Sequence, residues 1–169
     1  MSIAPDVKPW QILGIAVRSE EDAVSFYTGL AAKVRNIGLH EKLKFMSAEE
    51  ERHRLLLTRI HGQRFPGRPI EAPESSRMPP IAAEIGANAS VPDLFKAALR
   101  AEELSEAFYN EAMEKADDEG SRRMLGYLSR VERSHQAMLR SEIDLLDRFP
   151  DYYDVEEFHI GQDLFHVGP

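Results

Sequence analysis

Apolar residues recur at three- and four-residue spacing along four long stretches of the chain, with no proline in their interiors, which is the pattern of amphipathic helices. The first stretch runs from about Trp10 to Arg35 and carries Ile12, Ile15, Ala16, Ala23, Phe26, Tyr27, Leu30 and Ala31. It is expected to stop near Asn36-Ile37-Gly38, where glycine can take a left-handed C-cap. The second runs from about Leu39 to His61, with Leu43, Phe45, Met46, Leu56, Leu57 and Ile60. A third begins at Ser90-Val91-Pro92-Asp93, an N-cap followed by proline in the first turn, and continues to about Ala116. The fourth follows Asp117-Asp118-Glu119-Gly120 and ends near Arg148, before Pro150.

Gly62 to Ala89 separates the second helix from the third and holds Pro66, Pro69, Pro73, Pro79 and Pro80. That is too long for a tight hairpin and suits a crossover from one end of a bundle to the other, which lets the second and third helices run parallel. The expected architecture is therefore all-α: two helical hairpins joined by a long crossover over residues 1–150, then an acidic, aromatic, irregular tail over 151–169.

Sliding the chain against itself by 82 residues aligns the first hairpin with the second. Over Val17–Thr58 against Leu99–Arg140 there are 12 identities in 42 ungapped pairs, with the turn glycines Gly38 and Gly120 in register. The chain is a duplicated helical hairpin.

The residues kept by the repeat have a specific chemistry. Glu50-x-x-His53 and Glu132-x-x-His135 each set a carboxylate and an imidazole one turn apart on one helix face. Glu20 and Glu102 each lie 30 residues upstream of the corresponding glutamate. The midpoints of these two intervals, Arg35 and Asp117, fall at the predicted turns, so each upstream Glu stands level with its Glu-x-x-His partner. Two such hairpins converge four carboxylates and two imidazoles, the ligand set of a dinuclear carboxylate site, with Glu20, Glu50, His53, Glu102, Glu132 and His135 as metal ligands. Four carboxylates neutralise two divalent cations, and mixed oxygen and nitrogen donors suit iron or manganese better than calcium, magnesium or structural zinc. Tyr27 and Tyr109, seven residues after Glu20 and Glu102, are placed to hydrogen-bond the ligating carboxylates. A third match, Glu156-x-x-His159, has Gly126 at the upstream position and reads as accidental. His40 and His61 read as surface residues near helix ends.

Composition narrows the chemistry further. The chain has 169 residues and no cysteine, which excludes disulfides, cysteine-ligated zinc, iron–sulfur clusters and thiol catalysis. A net charge of -8 disfavours binding to nucleic acid or to an anionic membrane surface. No signal peptide or membrane span is read from the sequence, so a cytoplasmic location is expected.

The first helix reads Glu20-x-x-Ala23-x-x-Phe26-Tyr27 and the third Glu102-x-x-Ser105-x-x-Phe108-Tyr109, each followed by a helix with Glu-x-x-His. In these motifs, from about Gln11 to Arg148, the chain resembles the rubrerythrin-like branch of the ferritin-like superfamily. The resemblance implies a ferritin-like four-helix bundle whose six ligands hold two Fe ions, with Mn or Zn as substitutes. It further implies an oxidoreductase that reduces hydrogen peroxide or dioxygen, with Tyr27 and Tyr109 as catalytic groups that orient carboxylates or donate protons. Ferroxidase and iron storage of bacterioferritin type use nearly the same ligands, and a non-catalytic metal-binding module is the third reading. Rubrerythrins often append a cysteine-ligated rubredoxin domain, absent here, so electrons are expected from an external electron-transfer protein. They also often carry a further Glu three residues after the third-helix ligand. Ser105 stands there, which leaves open a metal-binding role for Glu103 or Glu106. A homodimer is expected.

Overall fold

The computed structural model describes residues 7–32, 34, 36–71 and 90–153. Four helices fill most of that length: α1 (Pro9–Ala31), α2 (Ile37–Arg64), α3 (Val91–Glu114) and α4 (Glu119–Arg148), with no strand among the described residues. Much of the crossover (72–89), the turn residues 33 and 35, and the tail from 154 onward, with Glu156, His159 and His166, lie outside the described residues.

The duplication is visible in the helix starts. Asn36 caps α2 by accepting from the Leu39 amide, and Asp118, its counterpart 82 residues on, caps α4 by accepting from the Ser121 amide. These short side chains satisfy amides that have no partner inside the helix. The expected glycine C-cap is not found. α1 stops at Ala31, four residues short of the sequence reading, with Ala32 in right-handed geometry. Gly38 lies inside the first turn of α2, and only Gly67 among the described glycines has a positive φ. Asn36 starting a helix outcompetes Gly38 ending one. Ser90 and Asp93 form the reciprocal capping box that opens α3, with Pro92 in its first turn.

α1 packs along α2, and α3 along α4, as two hairpins. Between them α1 and α3 run antiparallel, because Tyr27 meets Glu102 while Tyr109 meets Glu20. α2 and α4 are antiparallel as well: Lys42 meets Glu142 at one end and Arg64 meets Asp118 at the other. The second and third helices therefore run parallel, as the long crossover requires. Its first residues fold back over α1, where Arg68 stacks on the Trp10 ring and the Glu71 backbone crosses Gly14.

Two apolar clusters close the bundle interior. One gathers Ile12, Ile15, Ala16, Leu57, Phe108 and Leu128. The other gathers Leu30, Leu43, Met46, Phe95, Leu139 and Leu146. Between them lies a layer that is not apolar at all.

Candidate metal centre

Glu20, Glu50, His53, Glu102, Glu132 and His135 are each between 1% and 4% exposed. So many buried ionisable groups in one layer would be severely destabilising without compensation, since an isolated buried charge costs several kcal/mol. All six side chains predicted from the repeat meet here, in two overlapping groups. Glu20, Glu50, His53 and Glu132 form one, and Glu50, Glu102, Glu132 and His135 the other, with the offered ligand atoms of each group within 4.8 Å of one another. Glu50 and Glu132 belong to both groups, whereas Glu20 with His53, and Glu102 with His135, belong to one each. Such an overlap would let Glu50 and Glu132 serve two neighbouring cation positions.

Each imidazole presents Nδ1 to this layer. His53 Nδ1 lies 3.0 Å from Glu50 and 3.8 Å from Glu20, and His135 Nδ1 lies 3.1 Å from Glu50 and 3.4 Å from Glu102. The two rings stack at 5.8 Å between centroids. Glu50 Oε1, Glu132 Oε1 and His135 Nδ1 are buried and make no hydrogen bond. Close-set donor atoms with unsatisfied lone pairs fit a cation in their midst, since buried polar atoms of proteins are otherwise almost always paired.

The electrostatics agree. Burial pushes the Glu20 carboxyl up to about 8 and the Glu132 carboxyl well above its ordinary range. Burial acts the same way on Glu50, but the His135 and His53 imidazoles beside it outweigh it and hold Glu50 down to about 2. Burial also opposes charge on the imidazoles, yet Glu20 and Glu50 raise His53 to about 9, and Glu102, Glu132 and Glu50 raise His135 to about 12. The metal-free layer thus retains protons on Glu20, Glu132, His53 and His135.

Tyr27 and Tyr109 are each 1% exposed, and their hydroxyls donate to Glu102 and Glu20 respectively. Each tyrosine therefore holds a carboxylate of the opposite hairpin, not the glutamate seven residues before it. Seven residues of helix span about 10 Å, too far for a hydroxyl to reach back. Burial and the neighbouring carboxylates push both phenols well above 10, so they are neutral donors.

Glu103 and Glu106 are outside this layer. Glu106 accepts from Arg133 and from Gln136 Nε2 (2.7 Å), and Glu103 accepts from Arg140 (2.6 Å). Gln136 is a buried residue that the repeat does not flag. Its amide also donates to the Glu102 carbonyl at 3.2 Å and so ties α4 to the backbone of a predicted ligand. Its counterpart in the first hairpin is Arg54, so comparison of the halves offered no signal. His61 departs from the sequence reading: it is 1% exposed, not a surface residue, and burial lowers its proton affinity. It packs against Phe65, where the chain after α2 turns back over the bundle end. His40 is half-buried, with Nδ1 3.0 Å from the Ala31 carbonyl.

Above the layer, between α1 and α3, lies a cavity of about 30 Å³. Glu20, Glu50, Glu102 and Glu132 form its floor, while Ala23 and Ser105, equivalent positions of the repeat, stand on its walls. The imidazoles do not line it, so the cavity borders the carboxylate side of the layer.

No helix among the described residues is long and apolar enough to cross a membrane. No curated protein matches the chain. Among solved structures, a hypothetical protein from Pyrococcus furiosus is 34% identical over 85% of this chain and 92% of its own, with a TM-score of 0.74. A bacterioferritin from Rhodobacter capsulatus is similar at 24% identity, with a TM-score of 0.68 and coverage of 86% and 89%. A manganese catalase from Anabaena is similar at 18% identity, with a TM-score of 0.67 and coverage of 90% and 80%. These last two share the ferritin-like four-helix fold. The Rubrerythrin family model matches residues 11–143, a span that takes in both hairpins and all six buried ligand candidates, and the chain belongs to the rubrerythrin family.

Proposed function

We propose that this chain is a dinuclear iron oxidoreductase of rubrerythrin type that reduces hydrogen peroxide or dioxygen, using electrons from an external donor protein. The observation that carries the reading is the pair of overlapping ligand groups sharing Glu50 and Glu132 beside a cavity with room for a small molecule. Glu20 and His53 would complete one metal position, and Glu102 and His135 the other. Bound iron supplies Lewis acidity and the electrons that cleave an O–O bond.

The protein's own groups do the rest. A cavity of about 30 Å³ has room for a molecule of water or peroxide size. Tyr27 and Tyr109 fix the carboxylates of the opposite hairpin and are protonated phenols at the edge of the layer, placed to orient those carboxylates or to give up a proton. Reduction of one peroxide to two waters consumes two electrons and two protons. None of the 169 residues is a cysteine that could ligate a rubredoxin-type iron, and in this reading a separate donor protein restores the electrons.

The test is metal analysis of the isolated protein, followed by stopped-flow absorbance after anaerobic ferrous protein is mixed with peroxide or with oxygen. Two irons per chain and rapid oxidation by one of the two oxidants are expected. Spectra unchanged by both would overturn the enzymatic reading.

A further inference from the structure

We infer that Ser105 is a positioning residue for the oxidant: its hydroxyl hydrogen-bonds the small molecule held in the cavity and raises the preference of the site for hydrogen peroxide over dioxygen. The inference rests on the oxidoreductase reading above and adds to it the group that holds the substrate. Ser105 lies three residues after Glu102 and four before Tyr109, and its repeat counterpart Ala23 lies three after Glu20 and four before Tyr27. Because Tyr27 meets Glu102 and Tyr109 meets Glu20, the two positions face each other across the gap between α1 and α3, midway between the levels of Glu20 and Glu102. Both line the cavity. Position 105 therefore stands over the middle of the layer, where Glu50 and Glu132 belong to both ligand groups.

From α3, Ala101, Glu102, Leu104 and Ser105 reach the cavity, and Ser105 is the one besides Glu102 with a polar side chain. The neighbouring carboxylates are committed elsewhere: Glu103 accepts from Arg140, and Glu106 from Arg133 and Gln136. On α1, Asp22 is paired with Arg18 at 3.4 Å, and Ser19 stands at the level of Tyr109, at one end of the cavity and not its middle. Ser105 Oγ makes no hydrogen bond among the described residues. Other serines inside these helices fold back on their own backbone: Ser25 Oγ donates to the Glu21 carbonyl at 2.9 Å, and Ser134 Oγ to the Val131 carbonyl at 2.7 Å. At position 105 the hydroxyl proton and lone pairs are left for a guest in the cavity.

A hydroxyl tells the two oxidants apart. Hydrogen peroxide has two O–H donors and accepting lone pairs, so it can give one hydrogen bond to Ser105 Oγ or take one from it. Dioxygen has no proton to give and accepts weakly. Ala23, on the opposite wall, offers either molecule only a methyl group. The duplication makes this contrast a usable control, since the two positions are equivalent in the repeat and border the same space, yet one of them carries the hydroxyl.

The test mixes anaerobic ferrous protein with hydrogen peroxide and, separately, with dioxygen in stopped flow, and measures metal affinity alongside by competition with a chromophoric chelator. Ser105→Ala should lower the peroxide rate constant about three- to tenfold, the effect of losing one neutral hydrogen bond, and the dioxygen rate constant by less, with metal affinity unchanged. Ala23→Ser/Ser105→Ala, which carries the hydroxyl on α1 instead, should recover most of the lost peroxide rate. A serine that only packs would move metal affinity or both rates together, and moving it across the cavity would not repair them. A native protein inert to both oxidants would overturn the oxidoreductase reading and this inference with it. Oxidation of the native protein by dioxygen but not by peroxide, a peroxide rate that Ser105→Ala leaves intact, equal losses with both oxidants, or no recovery in the double variant would overturn the role of Ser105 alone.

Discussion

Tyr27 and Glu102 are 75 residues apart, in different hairpins, and are joined by a buried hydrogen bond that the phenol donates to the carboxylate. Its mirror image, Tyr109 to Glu20, makes each hairpin hold the other's ligand candidate. Removing the hydroxyl leaves the ring packed but the carboxylate free to turn, and lost partners of metal ligands typically cost 10–100-fold in metal affinity. Tyr27→Phe and Tyr109→Phe should each show a loss of about that size, with little loss of fold. Competition with a chromophoric chelator measures it. Unchanged affinity in both variants would reduce the tyrosines to core packing.

Glu50 and Glu132 stand in both ligand groups, while Glu20 and Glu102 stand in one each. Substitutions should therefore sort by position. Glu20→Ala is expected to leave one metal per chain and Glu50→Ala to disable both positions, as read by elemental analysis after dialysis. Metal should also raise the midpoint of thermal unfolding, since a ligand at about 100 times its dissociation constant adds about 2.7 kcal/mol. Chelation should remove that gain from the native protein and produce no shift in Glu50→Ala.

The buried cluster of four carboxylates and two imidazoles was legible in the sequence because duplication repeats a pattern: two Glu-x-x-His motifs with a glutamate 30 residues before each stand apart from the lone match at Glu156. The helices were legible for the same reason that they form, a periodic apolar face between good caps. What was not legible depends on contacts between segments remote in sequence. The tyrosines' true partners follow from the antiparallel register of α1 and α3, and the burial of His61 follows from the chain after α2 folding back beside it. Gly38 misled because a glycine after a helix and a glycine in the first turn of the next look alike until Asn36 is seen to cap.

Gly14 lies buried in α1, and a Cβ there would sit 2.1 Å from the Glu71 carbonyl oxygen. The obstacle is backbone, which cannot rotate away. Gly14→Ala should push the start of the crossover off α1 and destabilise the protein by about 1–3 kcal/mol, as overpacking does. Gly29, in the same helix, has nothing within 4 Å of the equivalent point, and Gly29→Ala should stabilise by about 0.5–1 kcal/mol. Urea denaturation of the two variants gives the signs, and a neutral Gly14→Ala would mean that the crossover does not rest there.

At the far end of the bundle, Tyr153 donates to Glu142, Lys42 donates to both, and the Tyr153 ring stacks on Phe95. Burial, reinforced by Glu142, raises the Tyr153 phenol to about 12. Burial opposes the charge on Lys42, but the bonds to Glu142 and Tyr153 outweigh it and raise that ammonium too. Both groups hold their protons more tightly when folded than when unfolded. Their contribution is therefore complete below about pH 10, the unfolded phenol's value, and is lost as pH climbs through 12. Tyr153→Phe should cost about 1 kcal/mol at neutral pH. The difference between native and variant should shrink across that alkaline window and vanish above it, in denaturation midpoints recorded pH by pH. A gap that stays constant through the window would mean that packing on Phe95, and not the proton-dependent clamp, holds the end of α4 in place.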